Sequence, residues 1–177
     1  MKKALAIIDC QNDFIDGSMG VGLEKWKPVK DEIFSLIRTG DYESLIFTTD
    51  DHPENHCSFK KNGGQWASHC VVGTEGNKLG SGIAELMLSF TGNVDAISKG
   101  EDPNKEEYGV DLLGIKDLED VEQVDIVGLC YDYCVAACAK MTSEVHKDVL
   151  VRVIKKGTVA IDENAKPDFG KALLVME

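Results

Sequence analysis

The stretch GLCYDYCVAACAK, residues 128–140, places three of the chain's six cysteines four residues apart. Thiols at this spacing could bind a metal, form disulfides, pack in a core or supply a nucleophile, and the spacing alone does not decide between these roles. The preceding run VEQVDIVGL is apolar and β-branched, whereas Ala136, Ala137 and Ala139 favour a helix. Cys134 is therefore predicted to lie where a strand turns into a helix.

A cysteine at such a turn is suited to nucleophilic chemistry. The first N–H groups of the helix and its dipole would stabilise a thiolate at Cys134, and the same N–H groups could bind an oxyanion. The alternative for Cys134 is that of a small buried hydrophobic residue. For Cys138 packing is the favoured interpretation, because it lies in line with Met141 and Val145 on the same helix.

Ionisable or nucleophilic residues follow four successive apolar runs. Asp9 closes the first run, Asp50 the second and Lys99 the third, and Cys130 and Cys134 follow the fourth. Open parallel sheets bind their ligands at the carboxyl ends of the strands. Any one of these residues could be a helix cap or a solvent-exposed charge, but all of them at one edge favour a site. A carboxylate oriented by a neighbouring ammonium group could act as base for the thiol.

The strand ends belong to a predicted α/β fold: a three-layer α/β/α arrangement around a doubly wound, mostly parallel sheet. Five apolar runs are predicted strands, at residues 4–9, 44–50, 94–100, 124–129 and 148–154. Helices are predicted at residues 28–38, 82–90, 112–119, 132–147 and 166–175, and parallel strands require crossovers of this kind. Residues 51–81 form a long polar loop, and such loops are usually functional or disordered.

That loop carries a candidate metal site. The spacing of Asp50 and His52 points both side chains to one side of an extended chain, and His69 could complete the set. Two imidazoles and one carboxylate with open positions suit Zn, Fe(II) or Mn(II). Two alternatives stay open: polar loops collect such residues without binding a metal, and Cys57 and Cys70 could instead build a closed zinc site.

Length and charge limit the classes of function. At 177 residues the chain is predicted to form one domain over residues 1–177. Acidic residues outnumber basic ones, 31 against 19, and the net charge of -12 makes nucleic acid and membranes unexpected partners. The first apolar run is too short for the core of a signal peptide. Six cysteines without an export signal predict reduced thiols and a cytoplasmic location.

The order of these pieces resembles the isochorismatase-like cysteine hydrolases and, within them, the nicotinamidases, also called pyrazinamidases. The motifs that carry the resemblance are IIDCQNDF (7–14), TDDHPENHCSF (49–59), WASHCVVGTEG (66–76), SKG (98–100) and GLCYDYCV (128–135). They are similar to the family's opening Asp-x-Gln-x-Asp-Phe block, its metal loop, its third-ligand loop, its lysine and its nucleophile turn. The resemblance runs in order from residue 4 to at least residue 155.

The resemblance implies a catalytic triad of Asp9, Lys99 and Cys134. It implies an oxyanion hole formed by the backbone N–H groups of Cys130 and Cys134. Phe14 and Trp66 would flank a flat aromatic substrate, as their apolar rings allow.

The resemblance also implies a cofactor. One divalent metal ion is expected on Asp50, His52 and His69, with zinc favoured over iron and manganese. His56 is an additional candidate ligand, because the role of this position varies among family members.

The implied activity is hydrolysis of nicotinamide to nicotinate and ammonia through a thioester, as in NAD salvage, with pyrazinamide as a further substrate. The expected partner is thus a small molecule, and homo-oligomerisation stays open. The alternatives are another small amide or an isochorismate-like ether as substrate, and a non-catalytic binding module on the same fold. Two departures from the family pattern bear on substrate range: an acidic segment after Lys99 that makes a role for Tyr108 doubtful, and Cys130 where alanine is common.

Overall fold

One sheet of six parallel strands crosses the molecule in a computed structural model that describes residues 1–115, 118 and 120–176. The strands are β1 (Lys3–Ile8), β2 (Ser44–Asp50), β3 (Asn93–Lys99), β4 (Gln123–Leu129), β5 (Leu150–Val159) and β6 (Leu173–Val175). Their spatial order is β3-β2-β1-β4-β5-β6. The chain therefore winds outwards in one direction from β1 and then in the other from β4, which confirms the predicted doubly wound sheet.

The central strands are apolar because both of their faces are covered. All residues of β4 are buried, as are those of β1 after Lys3, and continuous apolar runs are typical of parallel strands buried on both sides. The register aligns Ile8 with Thr48 and Gly128, and Asp50 with Lys99. The carboxyl ends of β1 to β4 consequently meet at one edge of the sheet.

Helices pack on both faces of this sheet. Helices α1 (Asn12–Ile15), α2 (Leu23–Thr39) and α3 (Ile83–Ser89) contribute to one apolar core, and α4 (Ala136–Val145) contributes to the other. This arrangement confirms the three-layer α/β/α architecture. Within the described part of the chain, no helix combines the length and the apolar character needed to cross a membrane.

The predicted helix over 166–175 is wrong. Pro167 cannot continue a helical hydrogen-bond ladder and Gly170 has a φ of 62°, and both oppose a helix in this segment. Residues Leu173–Val175 instead form the short edge strand β6, paired with Arg152–Ile154 of β5. Three residues in length, β6 offers almost no periodicity by which a sequence pattern could reveal it.

Other boundaries also differ from the predictions. Of the predicted helix over 112–119, the described residues 112–115 and 118 are not helical, while residues 116, 117 and 119 lie outside the described residues. Helix α1 was not predicted, and α2 begins at Leu23 with Pro28 inside it. The loop over 51–81 is largely irregular, as predicted, with one 3-10 turn at Lys60–Asn62.

Candidate active site

Asp9, Lys99 and Cys134 lie together, buried at the carboxyl edge of the sheet. The Lys99 ammonium lies 2.7 Å from Asp9 Oδ2 and donates a hydrogen bond to Cys134 Sγ at 3.6 Å. The three residues are at most 4% exposed. The lysine therefore contacts both the proposed base and the proposed nucleophile, and this geometry lets the ammonium stabilise either of them as an anion.

Asp9 is held in an unusual conformation. It follows β1 with a φ of 44°, in the left-handed region that non-glycine residues rarely adopt. Thr48 fixes it from the neighbouring strand, because the Thr48 hydroxyl donates to Asp9 Oδ1 at 2.6 Å. The other oxygen, Oδ2, pairs with the Lys99 ammonium at 2.7 Å. A carboxylate oxygen of Asp9 also lies within 4.8 Å of Cys134 Sγ, close enough for a proton to pass between the two side chains in a small rearrangement.

Cys134 lies at the predicted strand-to-helix transition. After β4, the chain passes through Cys130 into a π-helical turn, Tyr131–Val135, which leads into α4. The peptide bond between Leu129 and Cys130 is cis. All six cysteines are free thiols, so the disulfide alternative is excluded in this structure. Cys138 is fully buried within an apolar core.

The buried charges shift the pKa values of the three groups. Burial raises the pKa of the Cys134 thiol, and Lys99 only partly opposes this effect. Burial likewise raises the pKa of Asp9 against the pull of Lys99. Burial would lower the pKa of Lys99, but Asp50 and Asp9 raise it well above its usual value. Cys134 therefore holds its proton at rest, next to a carboxylate with increased proton affinity and a permanent ammonium group.

Asp50, His52 and His69 form a second buried group beside the first. One potential ligand atom from each residue lies within 4.8 Å of the others, and Asp50 Oδ2 is 3.5 Å from His52 Nε2. Asp50 also contacts the Lys99 ammonium through Oδ1. Burial would raise the pKa of Asp50, but Lys99 and His52 lower it to about 2. Asp50 thus connects the two groups and presents a charged carboxylate to both.

The two imidazoles are arranged as metal ligands usually are. His52 Nδ1 lies 2.8 Å from the carbonyl oxygen of Gly100, and His69 Nδ1 lies 2.8 Å from that of Ala67. A carbonyl only accepts, so each Nδ1 carries a hydrogen and each Nε2 of the neutral ring keeps its lone pair. A backbone carbonyl that fixes the tautomer of a ligating histidine is the usual outer-shell arrangement. The residues present therefore fit a divalent cation.

His56 lies close by but has other partners. Its Nδ1 is 2.7 Å from Ser58 Oγ, and its Nε2 is 3.0 Å from the carbonyl oxygen of Lys105. The ring also packs at 5.6 Å from Phe59, a fully buried residue that the rings of His52 and His69 contact as well. In this structure His56 joins the metal loop to the segment that contains Lys105, and both its nitrogens are engaged.

A small cavity opens onto Cys134. Its lining includes Phe14 and Trp66, the two predicted aromatic residues, together with Cys130 and Tyr108. Asp50, His69 and Cys134 also line it, and sequence reasoning missed the three remaining lining residues, Met19, Tyr133 and Ile161. A larger, open surface groove lies against α1 and α2, but it does not reach the thiol. The smaller cavity combines apolar walls with the reactive groups, as binding sites for small aromatic molecules do.

Tyr108 belongs to this cavity, although its segment departs from the family pattern. Trp66 Nε1 donates to the Tyr108 hydroxyl at 2.9 Å. The rings of Trp66 and Tyr108 both pack on Tyr133, with centroids 5.2 and 5.4 Å apart. Three aromatic rings thus support one wall of the cavity. The acidic segment after Lys99 had left a role for Tyr108 in the pocket doubtful, and the structure places its side chain in the cavity wall.

Gln11 and Asp13 hold the backbone next to the proposed metal ligands. The sequence analysis did not single out these two residues. The Gln11 side chain is fully buried and clamps Asp50, accepting from its N–H and donating to its carbonyl oxygen, each at 2.8 Å. Asp13 Oδ2 accepts from the N–H of Cys70 at 2.7 Å and so anchors the loop beside His69. Both lie in the IIDCQNDF motif, so their place within that motif was the available signal.

Comparison with known proteins bears directly on this arrangement. The model of the isochorismatase domain matches residues 3–173, nearly the whole chain. The chain belongs to the isochorismatase family. The nicotinamidase/pyrazinamidase of Mycobacterium tuberculosis is 32% identical over 151 residues, which cover 78% of this chain and 77% of that protein.

Solved structures agree with the sequence relatives. PnC1 from L. infantum in complex with nicotinate is 29% identical, with a TM-score of 0.78 over 92% of this chain and 83% of that one. The pyrazinamidase of Pyrococcus horikoshii in complex with zinc is also 29% identical, with a TM-score of 0.74 over 92% of this chain and 89% of that one. The chain is thus a nicotinamidase-like amidohydrolase within the family.

Proposed function

We propose that this protein hydrolyses nicotinamide to nicotinate and ammonia with Cys134 as the nucleophile. The observation that carries the proposal is the buried contact of Lys99 with both Asp9 and Cys134 at the floor of an aromatic cavity. The named relatives act on nicotinamide or pyrazinamide, and both are flat aromatic carboxamides. Phe14 and Trp66 line the cavity where such a ring would lie.

The first step is a proton transfer. Asp9 takes the proton of the Cys134 thiol as the sulfur attacks the carboxamide carbon, because an oxygen of its carboxylate lies within 4.8 Å of Cys134 Sγ and the pKa of Asp9 is raised, chiefly by burial. The Lys99 ammonium stabilises the developing thiolate. The backbone N–H groups of Cys130 and Cys134 bind the oxyanion of the tetrahedral intermediate.

The second step releases ammonia. Asp9 returns its proton to the departing nitrogen, which leaves a thioester on Cys134 and an ionised Asp9. Asp9 then takes a proton from a water molecule that attacks the thioester, and the acid is released as the thiol re-forms. Lys99 keeps its charge throughout, because Asp50 and Asp9 together hold its pKa high against the effect of burial.

Asp50, His52 and His69 would hold one divalent cation beside this cavity, with zinc favoured over iron or manganese. A bound cation of this kind would fix the ring of the substrate through its nitrogen, directly or through water. His56 could join the ligands only after giving up the contacts with Ser58 and the Lys105 carbonyl. We place the reaction in the salvage of pyridine nucleotides in the cytoplasm.

A substrate panel tests this proposal. Purified metal-loaded protein is incubated with nicotinamide, pyrazinamide, an aliphatic amide and isochorismate, and the products are read by ammonia release and mass spectrometry. We expect turnover of the two aromatic amides. A second candidate is an enzyme for another small amide, since Cys130, at a position where alanine is common in the family, lines the cavity. Turnover of the aliphatic amide or of isochorismate, with both aromatic amides intact, would favour that alternative and contradict the proposal.

A further inference from the structure

The segment 101–111 brings negative charge to a recess that shares Asp50, Trp66, His69 and Tyr108 with the cavity, and we call this recess the mouth of the cavity. Glu106 and Glu107 line this recess together with Trp66, Tyr108 and the candidate metal ligands. A hydrogen bond joins this segment to the loop that carries the candidate metal ligands: the N–H of Cys57 donates to the Pro103 carbonyl at 2.8 Å. The acidic character of this segment is therefore part of the site's surroundings.

The two glutamates are not equivalent. Glu107 pairs with the Lys105 ammonium at 2.5 Å, which compensates its charge. The Glu106 carboxylate instead accepts a hydrogen bond from the neutral hydroxyl of Tyr108 at 2.6 Å. Of the two glutamates, Glu106 is accordingly the one whose charge no ammonium group in the described part of the chain pairs with.

Glu106 also fixes the aromatic wall through Tyr108. The Tyr108 hydroxyl has one hydrogen, which it donates to Glu106. Its oxygen therefore faces Trp66 as an acceptor, and the indole N–H donates to it at 2.9 Å. Burial and this contact with Glu106 raise the pKa of Tyr108 to about 12, so the hydroxyl stays a donor. The hydrogen bonds from Trp66 to Tyr108 and from Tyr108 to Glu106 thus connect a surface charge to a ring that lines the cavity.

We propose that Glu106 is a specificity-determining residue that discriminates between the neutral carboxamide substrate and its carboxylate product. The inference rests on the proposed function, in which the reaction converts a neutral ligand into an anion within this cavity. A fixed negative charge at the mouth weakens the binding of the anion and leaves the binding of the amide nearly unchanged. Product would thus leave the site readily, and carboxylate analogues would be poor ligands.

The size of the effect follows from Coulomb's law. Two unit charges roughly 10 Å apart, at the effective dielectric of a protein surface, repel each other enough to change a binding constant by about two- to tenfold. Because Glu106 is exposed, salt should reduce this repulsion, as the Debye length shortens from about 10 Å at 0.1 M to about 3 Å at 1 M. Charge on the metal or on Asp9 adds equally to both variants and cancels in the comparison.

Two substitutions separate charge from position. Glu106→Gln removes the charge but retains an oxygen that can accept from Tyr108. Glu106→Ala removes the charge and the hydrogen bond, which frees Tyr108 and Trp66. Glu101→Gln is the matched control, since Glu101 is an exposed glutamate of the same segment that does not line the recess.

The experiment is a calorimetric titration of nicotinate and nicotinamide into zinc-loaded protein, carried out in a Cys134→Ala background so that the amide is not consumed. We expect Glu106→Gln to tighten nicotinate binding about two- to tenfold relative to nicotinamide at 0.1 M salt, with little difference at 1 M. Glu101→Gln should leave the ratio unchanged. Glu106→Ala should weaken the binding of both ligands.

The outcomes distinguish this inference from the proposed function. A parent protein that binds both ligands, with the same ratio in Glu106→Gln as in Glu101→Gln, would overturn the inference alone. An equal change for both ligands in Glu106→Gln would also overturn it. A folded, zinc-loaded parent that binds neither ligand would overturn the proposed function, and this inference with it.

Discussion

Asp9 presents its two carboxylate oxygens to different partners, and this division suits a general base. Oδ1 accepts a hydrogen bond from the Thr48 hydroxyl at 2.6 Å, while Oδ2 pairs with the Lys99 ammonium at 2.7 Å. Thr48 therefore fixes the orientation of the carboxylate, and Lys99 holds it beside Cys134, to which Lys99 also donates.

Replacing Asp9 should remove catalysis while leaving its orientation partner in place. We expect Asp9→Asn to lower kcat for nicotinamide by about 10²- to 10⁴-fold, the usual contribution of a general acid–base group. Thr48→Val is the matched control, because it removes only the orienting hydrogen bond and should cost less than about tenfold. Steady-state kinetics on both variants, folded by circular dichroism, make the comparison. Equal losses would show that Asp9 acts only through its orientation.

The Asp50 carboxylate should make stability depend on acidity. Its pKa is lowered to about 2 in the folded protein, below the value of about 3.9 in an unfolded chain. Its contribution to the free energy of unfolding is therefore fully present above about pH 4 and is lost as the pH falls towards 2. Linkage makes this contribution about 3 kcal/mol.

Chelator-treated protein tests that dependence. The free energy of unfolding is measured by denaturant titration at several pH values for the wild type and for Asp50→Asn. We expect the pH-dependent advantage of the wild type to shrink between pH 4 and 2. An advantage that stays constant or grows over this range would contradict the lowered pKa.

At the scale of elements, the close approach of β1 and β4 depends on a glycine. Gly128 has a φ of 112°, and a Cβ added there would lie 2.2 Å from the carbonyl oxygen of Ile8. Since backbone cannot give way as a flexible side chain can, β4 would have to move away from β1. The two strands position Asp9 and Cys134, so any such movement would also reach the site.

Gly128→Ala should therefore destabilise the protein by about 3 kcal/mol or more. Gly63→Ala is the matched control, because Gly63 has a φ of 94° with open space around the added Cβ. It should cost about 1 kcal/mol, for the backbone conformation alone. Thermal and denaturant unfolding of both variants provide the measurement. Similar losses in the two variants would contradict the proposed strand contact.

The metal loop offers a second test at this scale. His52 Nε2 faces Asp50 Oδ2 at 3.5 Å within the proposed ligand set, whereas the nitrogens of His56 contact Ser58 and the Lys105 carbonyl outside that set. We expect His52→Ala to lower metal affinity by at least about tenfold. His56→Ala should keep the metal but loosen the segment around Lys105, which limited proteolysis would detect. Equal loss of metal in both variants would make His56 a ligand.

How far the sequence predicts these elements depends on the length of each pattern. The apolar runs of β1, β2 and β4 are continuous, so their strands and the residues after them could be predicted. Strand β6 could not, because three residues carry too little pattern and its pairing with β5 is a tertiary contact. Helix α1 has only four residues and was missed for a similar reason.

At the scale of the whole molecule, the fold brings together residues that lie far apart in the chain. The sequence suggested Lys99 beside Asp9, but its contact with Asp50 follows from the register of β2 and β3. Likewise, the contact of Trp66 with Tyr108 spans 42 residues. Residue types at strand ends predict which groups meet, whereas the partner of each hydrogen bond requires the packed structure.

The central claim is that Cys134 attacks the carboxamide of nicotinamide, and ammonia release tests it most directly. Metal-loaded wild type should release one ammonia for each nicotinate formed, and Cys134→Ala should release none above background. Cys138→Ala is the control, since this thiol on α4 is buried in the core, and should retain turnover. Wild-type protein that holds its metal and leaves nicotinamide intact, or a Cys134→Ala variant that still turns it over, would contradict the account.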